Sequence, residues 1–335
     1  MKMIIVLLIM VTCTLSVSGC INQEATITES ETDSEFSQRT LKGVSLSPKS
    51  FESADFVHFF EKARQAGEVI MWAGDWNELT VDNGGPKVIT ELVSTYRYTP
   101  LVEVQFFTQS SGQLLRPLNE ETKKQYLTSA VAFCEKYKPP YIGFGIETNV
   151  LYMKSPDDFY EFVEFYSKVY DAVKVTSPET QVFTVFQLER MKGLNGGLFG
   201  GVNDPDKAHW FLLDLFPSDI TVFTTYPGLI YKDPSEIPAD YYTEIASHTK
   251  KPVAFTEIGW HSVAHPPGYE SSEAEQAAFV ETFFELTKDV DPELCIWSFL
   301  YDQDIVEPFN TMGLYDRNGN AKQAWNAWIH TSKRY

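Results

Sequence analysis

The chain has 335 residues, a formal net charge of −19 at pH 7 and 43% hydrophobic residues. Nucleic-acid binding needs a clustered basic surface, so this acidity excludes that class of partner and favours neutral or cationic ligands. The length suits one α/β barrel of about 250 residues or more together with an N-terminal extension.

The N-terminal segment has the pattern of an export signal. Met1 and Lys2 precede an apolar run, and the residues VSGC, ending at Cys20, offer a small-residue cleavage site. This ending resembles the lipobox of bacterial lipoproteins, which implies cleavage before Cys20 and a lipid on its thiol. The alternative is an uncleaved single-span anchor, although the run is short for a hydrocarbon core of about 30 Å. Either way, the protein is expected outside the cytoplasm and attached to the cell membrane.

The sequence therefore divides into a signal peptide (1–19), a tether from the lipidated Cys20 (20–40) and one barrel domain (41–335). Residues 21–40 are rich in Glu, Thr, Ser, Asp and Gln. Because so few of them are apolar, burial cannot offset the entropy lost on ordering, and a flexible tether is expected.

Eight strand-like runs recur in the barrel segment, beginning at Lys42, Glu68, Leu101, Tyr141, Gln181, Ile220, Pro252 and Leu294. Segments with helical spacing lie between them, including 54–65, 120–137, 157–175 and 272–289. Strands that alternate with helices predict a parallel sheet. Eight repeats, with no GxGxxG after the first strand, predict an α/β fold with a single (β/α)8 TIM barrel. The ligand site is then expected at the carboxyl ends of the strands.

Polar and aromatic residues follow the second and third runs. Trp72, Asp75 and Trp76 close the second run, where they either contact a sugar or form a surface turn. Glu103 and Gln105 share one face of the third strand, which predicts a polar network under the site or an outward-facing pair.

Glu147 ends the fourth run and Glu257 ends the seventh, each after apolar residues. Side chains alternate along a strand, so Glu147 is expected to share a face with Gly143 and Gly145, which would leave space beneath it. Glycosidic bond cleavage requires two carboxyl groups on opposite sides of the sugar, and strands four and seven face each other across a barrel. The pair predicts a glycoside hydrolase.

These motifs resemble those of clan A glycoside hydrolases, and distantly those of arabinogalactan endo-β-1,4-galactanases. The resemblance rests on Glu147, on Thr-Glu257-Ile-Gly-Trp260, on Tyr226-Pro after strand six, on Trp297 in strand eight and on the Met312-Gly-Leu ending. It implies a retaining double displacement on a β-linked oligo- or polysaccharide. Glu147 would be the acid/base, Glu257 the nucleophile, Tyr226 the residue that orients Glu257, and Trp297 the floor of the sugar subsite.

Three further residues are candidate substrate contacts, namely Asn149, Gln187 and Trp260. Clan members usually have Asn directly before the acid/base Glu, whereas this chain has Ile146, and Asn149 is a possible substitute. Gln187 closes the fifth strand with Glu189, either to bind sugar hydroxyls or as a solvated loop.

The sequence carries no HExxH or CxxC pattern, so no metal and no cofactor are expected. Cys134 lies in a helix pattern and Cys295 in a strand pattern, which predicts two buried thiols and no disulfide. Two alternatives to an enzyme remain: a non-catalytic carbohydrate-binding lipoprotein on a degenerate barrel, and a structural protein of the cell envelope.

Overall fold

The structure is a computed structural model that describes residues 40–331; the predicted signal, tether and lipidation site at Cys20 lie outside that range. Eight strands line one barrel: β1 (Leu41–Ser45), β2 (Val69–Asp75), β3 (Thr99–Gln105), β4 (Tyr141–Phe144), β5 (Gln181–Phe183 and Val185–Gln187), β6 (Thr221–Thr225), β7 (Val253–Ile258) and β8 (Leu294–Trp297). A small hairpin, Phe107–Thr108 with Gln113–Leu114, follows β3. The α-helices are α1 (Ser53–Ala66), α2 (Gly85–Glu91), α3 (Val93–Tyr96), α4 (Glu120–Tyr137), α5 (Thr148–Lys154), α6 (Pro156–Thr176), α7 (Leu188–Met191), α8 (Glu273–Thr287) and α9 (Gln323–Thr331).

The sheet closes on itself through β1 and β5. Leu41 of β1 pairs in parallel with Leu294 of β8. The first half of β5 pairs with β4, and its second half, after Thr184, pairs with β6. All ladders of this sheet are parallel. The predicted (β/α)8 barrel is thereby confirmed.

The longer helices begin at the signals that the sequence carries. Asn119 caps α4 by accepting a hydrogen bond from the Thr122 amide at 2.9 Å, and Ser272 caps α8 through the Glu275 amide at 3.2 Å. Between β5 and β6, and between β6 and β7, short 3-10 segments such as Trp210–Leu215 and Thr243–Ser247 replace long helices. Within residues 40–331, no helix combines the length and apolar character needed to cross a bilayer.

Alternation along the strands creates two apolar layers. One face fills the barrel interior with Val69, Met71, Leu101, Tyr141, Phe183, Val185, Ile220, Val222, Ala254, Leu294 and Ile296. The other face packs against the helices in a larger cluster that holds most of the aromatic residues. Cys134 and Cys295 are both buried and free, as predicted.

A buried ion pair braces the loops after β7 and β8. Lys322 Nζ donates to Asp302 Oδ1 at 2.6 Å, to the Ser262 hydroxyl at 2.9 Å and to the Thr311 carbonyl at 3.0 Å. The side chains of Lys322 and Asp302 are only 4% and 10% exposed. Burial raises the pKa of Asp302 and lowers that of Lys322, because both lose hydration.

Removing one member of this pair is expected to destabilise the barrel more than removing both. Lys322→Met leaves Asp302 buried and unpaired, and should lower the free energy of unfolding by about 3–5 kcal/mol. Lys322→Met with Asp302→Leu should cost less than Lys322→Met alone. Equilibrium urea unfolding of the two single variants and the double variant tests this. The role given to the pair would be contradicted if each single variant lost less than about 1 kcal/mol of unfolding free energy and the double variant lost the sum of the two.

Candidate active site

Glu147 reaches the mouth of the barrel through a turn and not through the regular strand. β4 ends at Phe144, after which Gly145 (φ 87°) and Glu147 (φ 58°) are left-handed. For a residue other than glycine this backbone is strained by roughly 1–3 kcal/mol, and such strain concentrates at functional sites. Gln105 of β3 supports the turn, since its Nε2 donates to the Ile146 carbonyl at 2.8 Å.

The Glu147 carboxyl group is buried and held through one oxygen. Its Oε1 accepts hydrogen bonds from Gln187 Nε2 at 2.9 Å and from the Thr224 hydroxyl at 2.8 Å. Among the described residues, Oε2 has no hydrogen-bond partner. Burial, and then the charge of Glu257, raise the pKa of Glu147 to about 8, although the two hydrogen bonds act in the opposite direction. The side chain is therefore protonated at neutral pH.

Glu257 lies on β7 and is half-buried. The Tyr226 hydroxyl donates to its Oε2, and this hydroxyl also lies 3.0 Å from Ser298 Oγ. Burial raises the pKa of Glu257, whereas the hydrogen bond from Tyr226 lowers it. Because the charge of Glu257 raises the pKa of Glu147, the two carboxyl groups are electrostatically coupled. The hydrogen bond from Tyr226 favours the ionised form of Glu257.

Glu103 is a third carboxyl group, inside the barrel on β3. It pairs with Gly143 of β4, and a β carbon at Gly143 would lie 2.6 Å from the Phe183 ring and 3.2 Å from Glu103 Cγ. Glycine at 143 thus makes room for the Phe183 ring and for Glu103. Neither carboxyl oxygen has a hydrogen-bond partner of normal geometry, although the Thr256 hydroxyl is close enough to lower the pKa slightly. Burial, and then Glu257, raise the pKa of Glu103 to about 8, so this group is neutral at pH 7.

Glu189 is a fourth carboxyl group, fully buried at the start of α7. Its Oε1 accepts hydrogen bonds from the Tyr226 amide at 2.9 Å, the Tyr241 hydroxyl at 2.9 Å and the Thr225 hydroxyl at 3.1 Å. These bonds fix the backbone of Tyr226, and hence the hydroxyl that holds Glu257. Glu189 is structural support for the site, not a solvated loop residue.

Asn149 does not face the cleft, so the prediction that it binds substrate is wrong. Its side chain is fully buried, and its Nδ2 donates to the Gln187 carbonyl while its Oδ1 accepts from the Gln187 amide, both at 2.9 Å. Both polar atoms of the amide group are thereby used. Asn149 anchors the end of β5 and so positions Gln187 against Glu147.

Trp72 and Trp76 are also wrong as sugar contacts. Met71 faces the barrel interior, so its neighbour Trp72 faces the helices. The Trp72 indole packs tightly on α2, since a β carbon at Gly85 would lie 1.8 Å from the indole nitrogen. Trp76 is fully buried and stacks on Tyr126 of α4 with ring centroids 4.7 Å apart. Both rings stabilise the outer layer.

Trp260 and Trp297 are fully buried as well, which contradicts their assignment as a stacking platform and a subsite floor. Trp260 donates to Ser271 Oγ at 2.9 Å, and Trp297 donates to the Met312 carbonyl at 2.7 Å. Along β8, Leu294 and Ile296 face the interior, so Trp297 faces the helices.

Asp75 lies at the end of β2 and is partly exposed, with its carboxylate bound by Arg116. The guanidinium donates to both carboxylate oxygens at 2.8 Å and 2.7 Å, and the Asp75 side chain is 31% exposed. This bidentate pair ties the loops after β2 and β3 together. Any contact of Asp75 with a ligand would share the carboxylate with Arg116.

Several residues at the mouth were missed by the sequence reasoning. Thr224 and Ser298 continue the inward alternation of β6 and β8, so strand periodicity was the signal that could have found them. Phe299 and Phe309 are half-buried and pack on the cluster of Tyr226, Leu229 and Met312. No sequence pattern marks these two rings. Within residues 40–331, no cluster of His, Cys, Asp and Glu could hold a metal ion.

The buried carboxyl groups predict a pH-dependent stability. Glu103 has a pKa of about 8 when folded and an ordinary value of 4.5, so between these values the folded state binds a proton that the unfolded state has lost. The free energy of unfolding should therefore fall as pH rises from about 4.5 to about 8. Glu103→Gln should reduce this slope by up to about 1.4 kcal/mol per pH unit.

Urea unfolding at several pH values in this range measures the slope. Glu121→Gln, on the exposed face of α4, is the matched control and should leave the slope unchanged. If Glu103→Gln and the control behave alike, Glu103 is ionised in the folded protein at neutral pH.

No protein-family profile and no curated protein sequence matches this chain. Solved structures do resemble its fold. A family 5 glycoside hydrolase from Streptomyces cattleya, in complex with Manβ1-4GlcNAc, has a TM-score of 0.65 at 13% identity and covers 88% of this chain and 81% of its own. An exo-β-1,4-mannosidase from Opitutaceae bacterium strain TAV5 has a TM-score of 0.62 at 12% identity over 88% and 59% of the two chains.

A family 39 glycoside hydrolase from Bacteroides cellulosilyticus WH2 has a TM-score of 0.59 at 17% identity over 89% of this chain and 64% of its own. The chain thus spans about three fifths of the length of the mannosidase and the family 39 enzyme. At these identities the likeness concerns the fold. The chain therefore shares the (β/α)8 barrel fold of these glycoside hydrolases.

Proposed function

We propose that the chain is a retaining β-glycoside hydrolase with Glu147 as acid/base and Glu257 as nucleophile. The observation that carries this proposal is the contrast between two coupled carboxyl groups at the carboxyl ends of β4 and β7. Glu147 is protonated at neutral pH, with Oε2 unengaged, whereas Glu257 accepts a hydrogen bond from the Tyr226 hydroxyl that favours its ionised form. Paired carboxyl groups whose environments separate their pKa values are typical of acid and nucleophile in glycoside hydrolysis.

In the first step of the proposed reaction, Glu147 gives its proton to the glycosidic oxygen as the bond to the anomeric carbon breaks. The Glu257 carboxylate attacks that carbon, and a glycosyl ester forms. Tyr226 holds Glu257 through Oε2, which leaves Oε1 as the attacking oxygen.

In the second step, Glu147 must act as a base. Once Glu257 is an ester its negative charge is gone, and with it the second largest cause of the raised pKa of Glu147. The pKa of Glu147 therefore falls, and its carboxylate takes a proton from water as the water attacks the anomeric carbon. Glu257 leaves as a carboxylate, and the free Glu147 is again protonated.

For the substrate, we propose a β-linked oligo- or polysaccharide. Support comes from the structural neighbours, which include an exo-β-1,4-mannosidase and an enzyme in complex with Manβ1-4GlcNAc. Half-buried Phe299 and Phe309 beside Tyr226 are the rings available for stacking on a sugar, and Gln187 is the polar side chain next to Glu147. No cofactor is needed for this chemistry.

Replacing either carboxyl group should abolish hydrolysis of β-glycans while the protein stays folded. Loss of a general acid lowers the rate by about 10²–10⁴-fold, so the rate of hydrolysis by Glu147→Gln should fall by that factor. Glu257→Gln should abolish hydrolysis, because no carboxylate remains at that position to form the glycosyl ester. With wild-type protein, the rate should decline as pH rises through about 8, because Glu147 then loses its proton.

Product release from a panel of β-glycans, with anomeric NMR of the first product, measures these effects. Glu179→Gln, in an exposed turn, is the control. Full activity in either carboxamide variant would refute the assignment, and net inversion at the anomeric carbon would refute Glu257 as nucleophile. Glycan binding by wild-type protein with no product would favour the non-catalytic alternative.

We further propose that the protein is extracytoplasmic and lipid-anchored at Cys20, on the basis of the N-terminal sequence. Cys20→Ala should move the protein from the membrane pellet to the soluble fraction after cell fractionation, because a lipid chain supplies the membrane affinity. Cys134→Ala, a buried thiol of the barrel, is the matched control. A Cys20→Ala protein that stays in the pellet would favour the single-span anchor instead.

A further inference from the structure

Arg190 is a cation at the site that the proposed reaction does not use. It lies in α7, next to Glu189, and is half-buried. Its guanidinium lies over the ring of Phe199, 3.7 Å from the centroid, and its Nη1 donates to Asn195 Oδ1. Phe199 and Asn195 belong to the glycine-rich loop 193–201. The guanidinium is therefore held in place from two sides.

Arg190 has no carboxylate within ion-pair distance in the part of the chain that the structure describes. Arg116, the other arginine near the mouth, is by contrast fully engaged with Asp75. Only one of the N–H groups of Arg190 donates to a described residue, and the others are unengaged. A half-buried guanidinium with free N–H donors and no carboxylate partner can bind an external anion through those donors.

The position of Arg190 relative to the two catalytic candidates follows from its contacts. Phe199, on which the guanidinium lies, packs against the cluster that contains Tyr226, and the Tyr226 hydroxyl holds Glu257. Arg190 lies in α7, which directly follows the carboxyl end of β5. Arg190 is therefore at the mouth of the barrel on the side of β5 and β6.

We propose that Arg190 binds the carboxylate of a uronic acid residue, so that the substrate is a uronate-containing β-glycan. This inference rests on the proposed function, which it makes more specific. A planar guanidinium with free donors matches a carboxylate in a two-bond geometry. The net charge of −19 favours neutral or cationic ligands overall. Exposed charges beyond about 8 Å are largely screened at physiological ionic strength, so the local guanidinium dominates at this point.

The test compares substrates that differ only at C6. Aryl β-glycosides of the gluco, galacto and manno series are offered as pairs, the uronide and the neutral sugar, with the same leaving group. Wild-type protein should prefer the uronide in at least one pair. Arg190→Gln should lower kcat/KM for that uronide at least about tenfold and for its neutral partner less than about twofold, since a lost buried charge pair costs at least one power of ten.

Two further variants sharpen the result. Arg190→Lys keeps the charge but loses the planar guanidinium. Its kcat/KM for the uronide should lie between those of the wild-type protein and Arg190→Gln. Arg64→Gln, an exposed arginine in the last turn of α1, is the matched control and should not change the preference.

Equal loss on both members of a pair would mean that Arg190 only positions Glu147, and would overturn the inference. Hydrolysis of neutral glycosides alone by wild-type protein would also overturn it, while the proposed function would stand. If no pair is hydrolysed, calorimetric titration with uronate oligosaccharides separates the two proposals. If wild-type protein binds and Arg190→Gln binds at least about tenfold more weakly, the uronate site stands and the hydrolase proposal fails. If wild-type protein does not bind, both proposals are refuted.

Discussion

The burial of four carboxyl groups near one end of a closed barrel is the constraint that organises this molecule. Burial raises the pKa of Glu103, Glu147, Glu189 and Glu257, and the charge of Glu257 raises the pKa of Glu103 and Glu147 further. They cannot all be ionised at neutral pH. The fold resolves the conflict by giving each group a different set of donors, and these sets decide which groups keep a proton.

The four carboxyl groups differ in the number of hydrogen-bond donors that bind them. Tyr226 serves Glu257, and three hydrogen-bond donors serve Glu189. Glu103 has no partner of normal geometry and keeps its proton. Glu147 also has a pKa of about 8, although two donors bind one of its oxygens. A group that is protonated near neutrality but close to ionisation suits alternate roles as acid and base, which is what the proposed reaction requires.

Strand periodicity predicted the barrel well, because eight strands in a closed sheet must each alternate between interior and helix layer. The same rule put Glu103 and Gln105 on one face of β3 but left open whether that face is the interior, where the structure has Glu103 buried. It failed where the strand ends: Glu147 leaves β4 through two left-handed residues, so its direction could not follow from the alternation with Gly143. Trp297 was misassigned although it lies within β8, because the motif suggested a sugar contact while the period-2 pattern placed the ring among the helices.

Asn149 shows a different limit of sequence reasoning. An amide two residues after the acid/base candidate looks available for a sugar, but its partners are backbone groups of Gln187. Gln187 lies 38 residues further along the chain, so only folding brings the two residues together. Gln105 likewise uses its amide on the backbone of Ile146. The amides beside Glu147 thus support the protein itself, and position 146 offers no polar side chain. In the proposed enzyme, recognition of the sugar must therefore come from other groups at the mouth, and the unengaged donors of Arg190 are available there.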